Sequence, residues 1–225
     1  MKWMKLKLHF PSFYSYRIPD YSSQYALTLP LIAPSTIKLA LVATAIRMSG
    51  EVSEGKRIFE YVKDAKVGVK LPKIIVVNSV FIKRLKKKKD QPGFQPSFGV
   101  REYVYFSGDV EIYLGLNKIE IPEKLMAYAR GIRYLGTSDS IVYVKSAEWI
   151  DKEPVGVIYP SEFSKLPEGA IINPVKDFAK KVTFEQINPY SPNKKAGDSY
   201  KTKFYPILLS KRPKKGKNWR LFVIS

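Results

Sequence analysis

From Trp3 to Phe10 apolar and polar side chains alternate, with Leu6, Leu8 and Phe10 on one face and Lys5, Lys7 and His9 on the other. A period of two with one apolar face predicts a strand buried on one side. Residues 11–29 break the alternation. Rings and turn formers crowd there (Phe13, Tyr14, Tyr16, Tyr21, Tyr25), with Arg17 among them, and predict a loop leading into a short strand near Tyr25–Leu29. The period then changes. Pro30 and Pro34 frame a turn, Ser35 and Thr36 follow, and Ile37, Ala40, Leu41, Thr44, Ala45 and Met48 recur at helical spacing. Leu39, Val42, Ala43 and Ile46 make the opposite face apolar too, so this helix is expected to be buried on most sides. Pro34 keeps Ala33 extended, and Ser35 or Thr36 is expected to cap the first free N–H groups.

Downstream, Glu54–Lys63 has helical composition and Gly68 is expected to end that region. The β-branched stretch Lys73–Lys83 predicts a central strand. Phe98–Leu114 predicts further strands with a turn at Gly108–Asp109, and Pro122 opens a helix running to about Gly131. A turn at Gly136–Asp139 precedes a strand at Ile141–Val144. Residues 151–200 read as short strands and loops. Phe204–Leu209 and Trp219–Ile224 then predict a last hairpin, joined by Ser210–Asn218. No repeat at a fixed period is found. This order predicts an α+β fold, with a ferredoxin-like (RRM-like) βαββαβ core, an inserted basic β-hairpin and a β-rich C-terminal part. Residues 1–150 form the first unit, with the insertion at about 80–101, and residues 151–225 extend it.

Charge changes the picture from fold to partner. The 225 residues hold 39 Lys and Arg against 20 Asp and Glu, a formal +19. Residues 1–100 carry 18 basic and 6 acidic side chains, residues 101–190 carry 11 and 13, and residues 191–225 carry 10 and 1. Two basic regions around a near-neutral middle point to a polyanion on one face and protein on another. There is no cysteine, which removes disulfides, thiolate metal sites and thiol nucleophiles together and fits an intracellular protein. Charges interrupt the N-terminal apolar run, and Pro30, Pro34 and Lys38 interrupt Leu27–Ile46. Neither a signal segment nor a membrane span is expected, and the expected location is the cytoplasm.

Lys83, Arg84, Lys86, Lys87, Lys88 and Lys89 place six cations in seven residues between two predicted strands, a density suited to phosphates. Phe94 and Phe98 follow and could stack on unpaired bases, whereas Tyr103 and Tyr105 are expected in the core. A second cluster lies at Lys211, Arg212, Lys214, Lys215, Lys217 and Arg220, with Gly216 allowing close backbone approach. Ser35, Thr36 and Lys38 at the start of the buried helix form a candidate phosphate seat. Catalytic residues are sparse. His9 is the only histidine, no carboxylate cluster suggests metal-assisted cleavage, and no Gly-rich nucleotide loop is present. No cofactor or metal is expected. A Tyr16, Lys7 and His9 arrangement is the one route to metal-independent RNA cleavage. A general single-strand-binding module is a third reading.

The strand Trp3–Phe10, the aromatic loop Phe13–Tyr25 and the proline-framed helix start at Pro30–Arg47 resemble the fifth CRISPR-associated (Cas-five) family of the RAMP superfamily. Arg101–Tyr105 and Arg133–Ser140 are similar as well, so the likeness covers about the first 145 residues. The resemblance implies a subunit of a type I Cascade complex that grips the repeat-derived 5′ handle of the crRNA, and the basic composition suggests the type I-A branch. It implies a ferredoxin-like palm, a β-hairpin thumb around Val80–Arg101, and contacts with the backbone and large subunits. On that basis Arg17, Ser35, Thr36 and Lys38 on the palm, the Lys83–Lys89 cations and Arg101 on the thumb, and Lys214 and Lys215 are the expected RNA contacts. One branch of the family cuts its own crRNA with a Tyr, a Lys and a His. This chain has no histidine near the mid-chain lysines, and a non-catalytic role is expected.

Overall fold

In the computed structural model, residues 1–18, 25–117, 120–160, 167, 169–191 and 199–225 are described. Tyr21 of the predicted aromatic loop lies outside them. The chain runs β1 (Lys2–His9), β2 (Tyr25–Ala26), α1 (Pro34–Ser49), α2 (Val52–Val62), β3 (Lys66–Lys70), β4 (Ile74–Lys87), β5 (Phe94–Phe106) and β6 (Val110–Leu116). It continues with α3 (Leu125–Arg130), β7 (Tyr143–Ile150), β8 (Ile171–Phe178), α4 (Phe184–Ile187), β9 (Tyr200–Ile207), β10 (Lys214–Lys215) and β11 (Trp219–Val223). No helix among the described residues is long and apolar enough to cross a membrane.

The alternation of β1 places it in a four-stranded antiparallel sheet of order β3-β6-β1-β7. Leu6 and Leu8 point into a core shared with Ile37 and Leu41 of α1 and Ile112 and Leu114 of β6. The outer face of β1 is neutralised: Lys5 pairs with Glu111 and Glu148, and Lys7 and His9 both reach Asp109. A second sheet has the order β10-β11-β4-β5-β2, and β8 pairs with β9 in a third, two-stranded sheet. Mixed α+β architecture, strand-rich with few helices, follows as expected.

Several boundaries differ from the sequence expectation. Gly68 does not end a helical region but sits inside β3, a five-residue strand whose Lys-Val-Gly-Val-Lys pattern is too short to show a period. The strand expected near Tyr25–Leu29 is only two residues long, and it pairs in parallel with Val100 and Arg101 of β5. The helix after Pro122 starts at Leu125. The expected C-terminal hairpin is absent as such: β9 pairs with β8, and β11 pairs with β4 and β10. Only the isolated bridge Leu209–Ile224 links the two predicted arms.

Helix α1 begins as Pro34 dictates, with Ala33 extended at φ −70 and ψ 145, but no side chain caps it. The hydroxyl of Ser35 instead donates to the carbonyl of Lys176 on β8 at 2.8 Å. Three residues on, the Lys38 ammonium donates to Asp177 Oδ1 and to the carbonyl of Lys63, both at 2.8 Å. Lys38 is 1% exposed. The apolar surroundings pull its ammonium below the usual lysine range, and Asp177 opposes that by holding the charge. A lysine that the sequence offered to phosphate is a structural tie between α1 and β8.

Candidate nucleic-acid interface

Strands β4 and β5 form one long antiparallel hairpin whose register runs from Ile75–Phe106 at the base to Lys87–Phe94 at the tip. At the base it is flanked by β11, which pairs with Ile74–Asn78, and by β2 at Val100 and Arg101. Beyond these contacts no other described strand pairs with the ribbon. The basic run lies along that extension and its turn: Lys83, Arg84, Lys86, Lys87 and Lys89 are exposed and Lys88 is half-buried. Gly93, at φ 100, helps close the turn, and its carbonyl accepts from the Lys88 N–H at 3.1 Å.

The two faces of the ribbon differ, because side chains alternate along each strand and direct partners share a face. One face continues from the core residues Ile75, Val77, Val104 and Phe106 to Phe81, Phe98, Lys83, Leu85 and Phe94. There the rings of Phe81 and Phe98 stack at 5.7 Å between centroids and 18° between planes, and the Lys83 ammonium sits 5.8 Å from the Phe98 ring. Phe81, Leu85 and Phe94 are each about two-thirds exposed or more. Rings and cations therefore alternate along a surface that no core covers. The other face carries Val76, Asn78, Val80, Ile82, Arg84 and Lys86, with Tyr105, Tyr103 and Arg101 opposite the first three. Tyr103 and Tyr105, expected in the core, face outward. Val104 and Phe106 take the buried positions instead, which sets the parity of the strand.

β11 brings the second basic region to the same sheet. Lys214 pairs with Leu221 and Lys215 with Arg220, and Arg220 pairs in turn with Val77 of β4. More than a hundred residues separate the two clusters in sequence, yet three neighbouring strands hold them. Lys214 and Lys215 are exposed, while Arg220 donates to the buried Glu102 at 2.7 Å. Gly216 does not open a path to a phosphate. A Cβ there would meet the Trp219 indole at 2.3 Å, so the ring itself occupies the space above the turn.

Arg17, Ser35 and Thr36 come together elsewhere, in the wall of a cleft of about 590 Å³ beside α1, with Tyr16, Tyr134 and Tyr200. The turn at Gly136 shapes this cleft. Gly136 has φ 79, and a Cβ there would lie 2.4 Å from the Ser15 carbonyl, which accepts from the Thr137 N–H at 3.0 Å. Ser35 and Thr36 are buried, so they shape the cleft more than they project into it. Arg101 is half-buried, with its guanidinium 3.5 Å from Asp139. The Tyr16, Lys7 and His9 arrangement is not assembled. Tyr16 lines the cleft beside α1, whereas Lys7 and His9 lie on the outer face of β1, where the His9 ring is 2.9 Å from Asp109.

No family model matches the chain. A CRISPR-associated protein Cas5 from Archaeoglobus fulgidus is 51% identical over 232 residues, covering 100% of this chain and 99% of that protein. A solved structure of a CRISPR protein from Archaeoglobus fulgidus superposes with a TM-score of 0.54 at 14% identity, covering 100% of this chain and 92% of that one. That second likeness concerns the fold alone.

Proposed function

Because the chain belongs to the Cas5 family of CRISPR-associated proteins, we propose that it is a non-catalytic subunit of a type I Cascade complex, in the type I-A branch, that binds and caps the 5′ repeat-derived handle of crRNA. In this reading residues 1–150 form a ferredoxin-like palm, and the ribbon around 80–101 is its thumb. Residues 151–225 are an extension packed on the palm. The sheet order β3-β6-β1-β7 supports the palm, since a βαββαβ path lays its four strands in that sequence. The protein works in the cytoplasm, and its other surfaces meet the backbone subunit and the large subunit of the complex.

One observation carries the proposal: two basic clusters far apart in sequence lie in one sheet, on β4 and on β10 with β11 between them, and the first of them lines a ribbon with exposed rings. Cations on the ribbon neutralise phosphates and set register, and the rings stack on unpaired bases. The test replaces Lys83, Arg84 and Lys86–Lys89 by Ala and measures handle RNA binding from low to high salt. Affinity should fall and the dependence of log K on log salt should flatten. Equal affinity at every salt concentration would remove the ribbon from the interface. Repeat RNA incubated with the protein in chelator should stay intact, and cleavage abolished by His9→Ala would make the protein a nuclease instead.

A further inference from the structure

We infer that the solvent face of the five-stranded sheet is a base-stacking platform for single-stranded RNA, built from Trp219 of β11, Tyr103 and Tyr105 of β5, and Phe13. This inference rests on the RNA-binding reading and adds a second contact region to it, at the base of the hairpin and not on the ribbon.

The rings border a shallow depression of about 460 Å³ whose floor is Val76 and Asn78 of β4. Register fixes their arrangement. Trp219, Asn78 and Tyr103 form one row across three strands, and Leu221, Val76 and Tyr105 form the next. With strands about 4.8 Å apart, the Trp219 and Tyr103 backbones stand roughly 10 Å apart, with the short Asn78 amide between them. That amide offers a donor and an acceptor to a base edge, and the flanking rings offer faces. Trp219 is 39% exposed, Tyr105 49% and Phe13 51%, rings gathered around one depression as apolar interaction surfaces are.

Local structure holds these rings in place. The indole lies over Gly216, whose N–H donates to the Trp219 carbonyl at 2.9 Å. Tyr14 is bridged to Val104 in both directions, at 2.8 and 2.7 Å, which sets neighbouring Phe13 edge-on to Tyr103 at 6.2 Å. The Tyr103 hydroxyl reaches Asp139 at 3.4 Å, and Asp139 also pairs with Arg101.

Charge selects the occupant. Residues 211–218, which lead into Trp219 along this edge, hold the exposed Lys211, Arg212, Lys214, Lys215 and Lys217 and no acid, while Arg220 turns to the other face and is held by Glu102. Aromatic faces bounded by cations suit a polyanion that carries flat, unpaired bases. The same sheet face runs outward from Asn78 to Arg84 and Lys86, about 20 Å or more at the rise of a strand. A strand of RNA held by the ribbon can therefore continue across the platform.

The experiment follows RNA anisotropy and tryptophan emission together as a single-stranded handle RNA is added. Trp219 is the exposed indole, since Trp3 is buried and Trp149 half-buried. Binding should quench emission, Trp219→Leu should remove the quench, and Tyr103→Leu with Tyr105→Leu should weaken binding roughly tenfold. The variant lacking the ribbon cations should still show the quench at saturating RNA. Binding by anisotropy with no quench, and with unchanged affinity in the ring variants, would overturn the platform and leave the ribbon interface standing. Equal quenching by a duplex would also overturn it, because paired bases have no free faces. Self-association that hides Trp219 from acrylamide would give the face to protein contact and overturn it as well. No RNA binding at all would remove both readings.

Discussion

Arg220 and Glu102 meet across the width of β4: the guanidinium on β11 donates to Oε1 of a carboxylate on β5 at 2.7 Å. Glu102 also accepts from the Thr28 N–H at 2.9 Å and from the Ser79 hydroxyl at 3.3 Å. One buried acid thereby joins the C-terminal strand, both arms of the hairpin and the segment after β2.

Glu102→Gln should lower unfolding stability by about 1–3 kcal/mol, the range for losing charged hydrogen bonds at a buried acceptor. Arg220→Ala should cost less, since its side chain is about half exposed and Glu102 keeps two other donors. Urea unfolding of both single variants and the double variant measures the coupling. A double variant no different from the sum of the singles would mean that the two charges do not cooperate.

Lys38→Met should destabilise by about 2–4 kcal/mol and leave RNA affinity unchanged. Removing one member of a buried pair strands the other charge. Lys203 stays on Asp177 at 2.6 Å and softens the loss. Denaturant midpoints and handle-RNA titrations of the folded variant check both halves.

Acid stability should depend on Glu54. Its hydrogen bond from Arg57, aided by one from the Tyr128 hydroxyl at 2.8 Å, holds the carboxyl down at about 2. Between the ordinary glutamate value of about 4.5 and 2, the unfolded chain binds more protons at this site than the folded one. The contribution is therefore complete above about 4.5 and is lost as pH falls through that window. Glu54→Gln should flatten the decline of stability with pH there, measured by thermal unfolding from pH 5 down to about 2.5.

Gly55→Ala should destabilise even though alanine is the better helix former by about 1 kcal/mol. A Cβ at Gly55 would lie 2.3 Å from Ile46 Cγ1, at the contact of α2 with α1. Overpacking of that kind costs about 1–3 kcal/mol. The gain and the cost are close enough that the net loss should be small. A midpoint raised by the substitution would show that Ile46 moves aside freely.

What the sequence made legible was local and periodic. Alternation located β1 and its buried face, β-branched content located β4, and the density of lysines located the ribbon. What it hid depended on partners distant in the chain. Lys38 reads as a phosphate contact because Asp177, its partner, lies 139 positions away. Tyr103 and Tyr105 were misplaced because both parities of β5 carry apolar or aromatic side chains, so alternation alone could not choose the inner face. Trp219–Ile224 looked like the second arm of a hairpin with Phe204–Leu209. Backbone pairing carries no label for its partner, and the one β11 takes is Ile74–Asn78 of β4. The platform went unseen for the same reason, since its rings come from three separate segments.

From Ile82–Gly99 to Lys87–Phe94 the hairpin has two strands and no third among the described residues, while at Ile74–Asn78 the same strand is paired on both sides. Two-stranded ribbons are only marginally stable in isolation and twist more freely than wider sheets. One pair of strands therefore grades from a stiff foundation to a compliant arm within about 20 Å. The arm can adopt the curvature of whatever it grips, while the base keeps the rings it carries at fixed spacing. A single continuous hairpin thus acts as ruler at one end and as calliper jaw at the other.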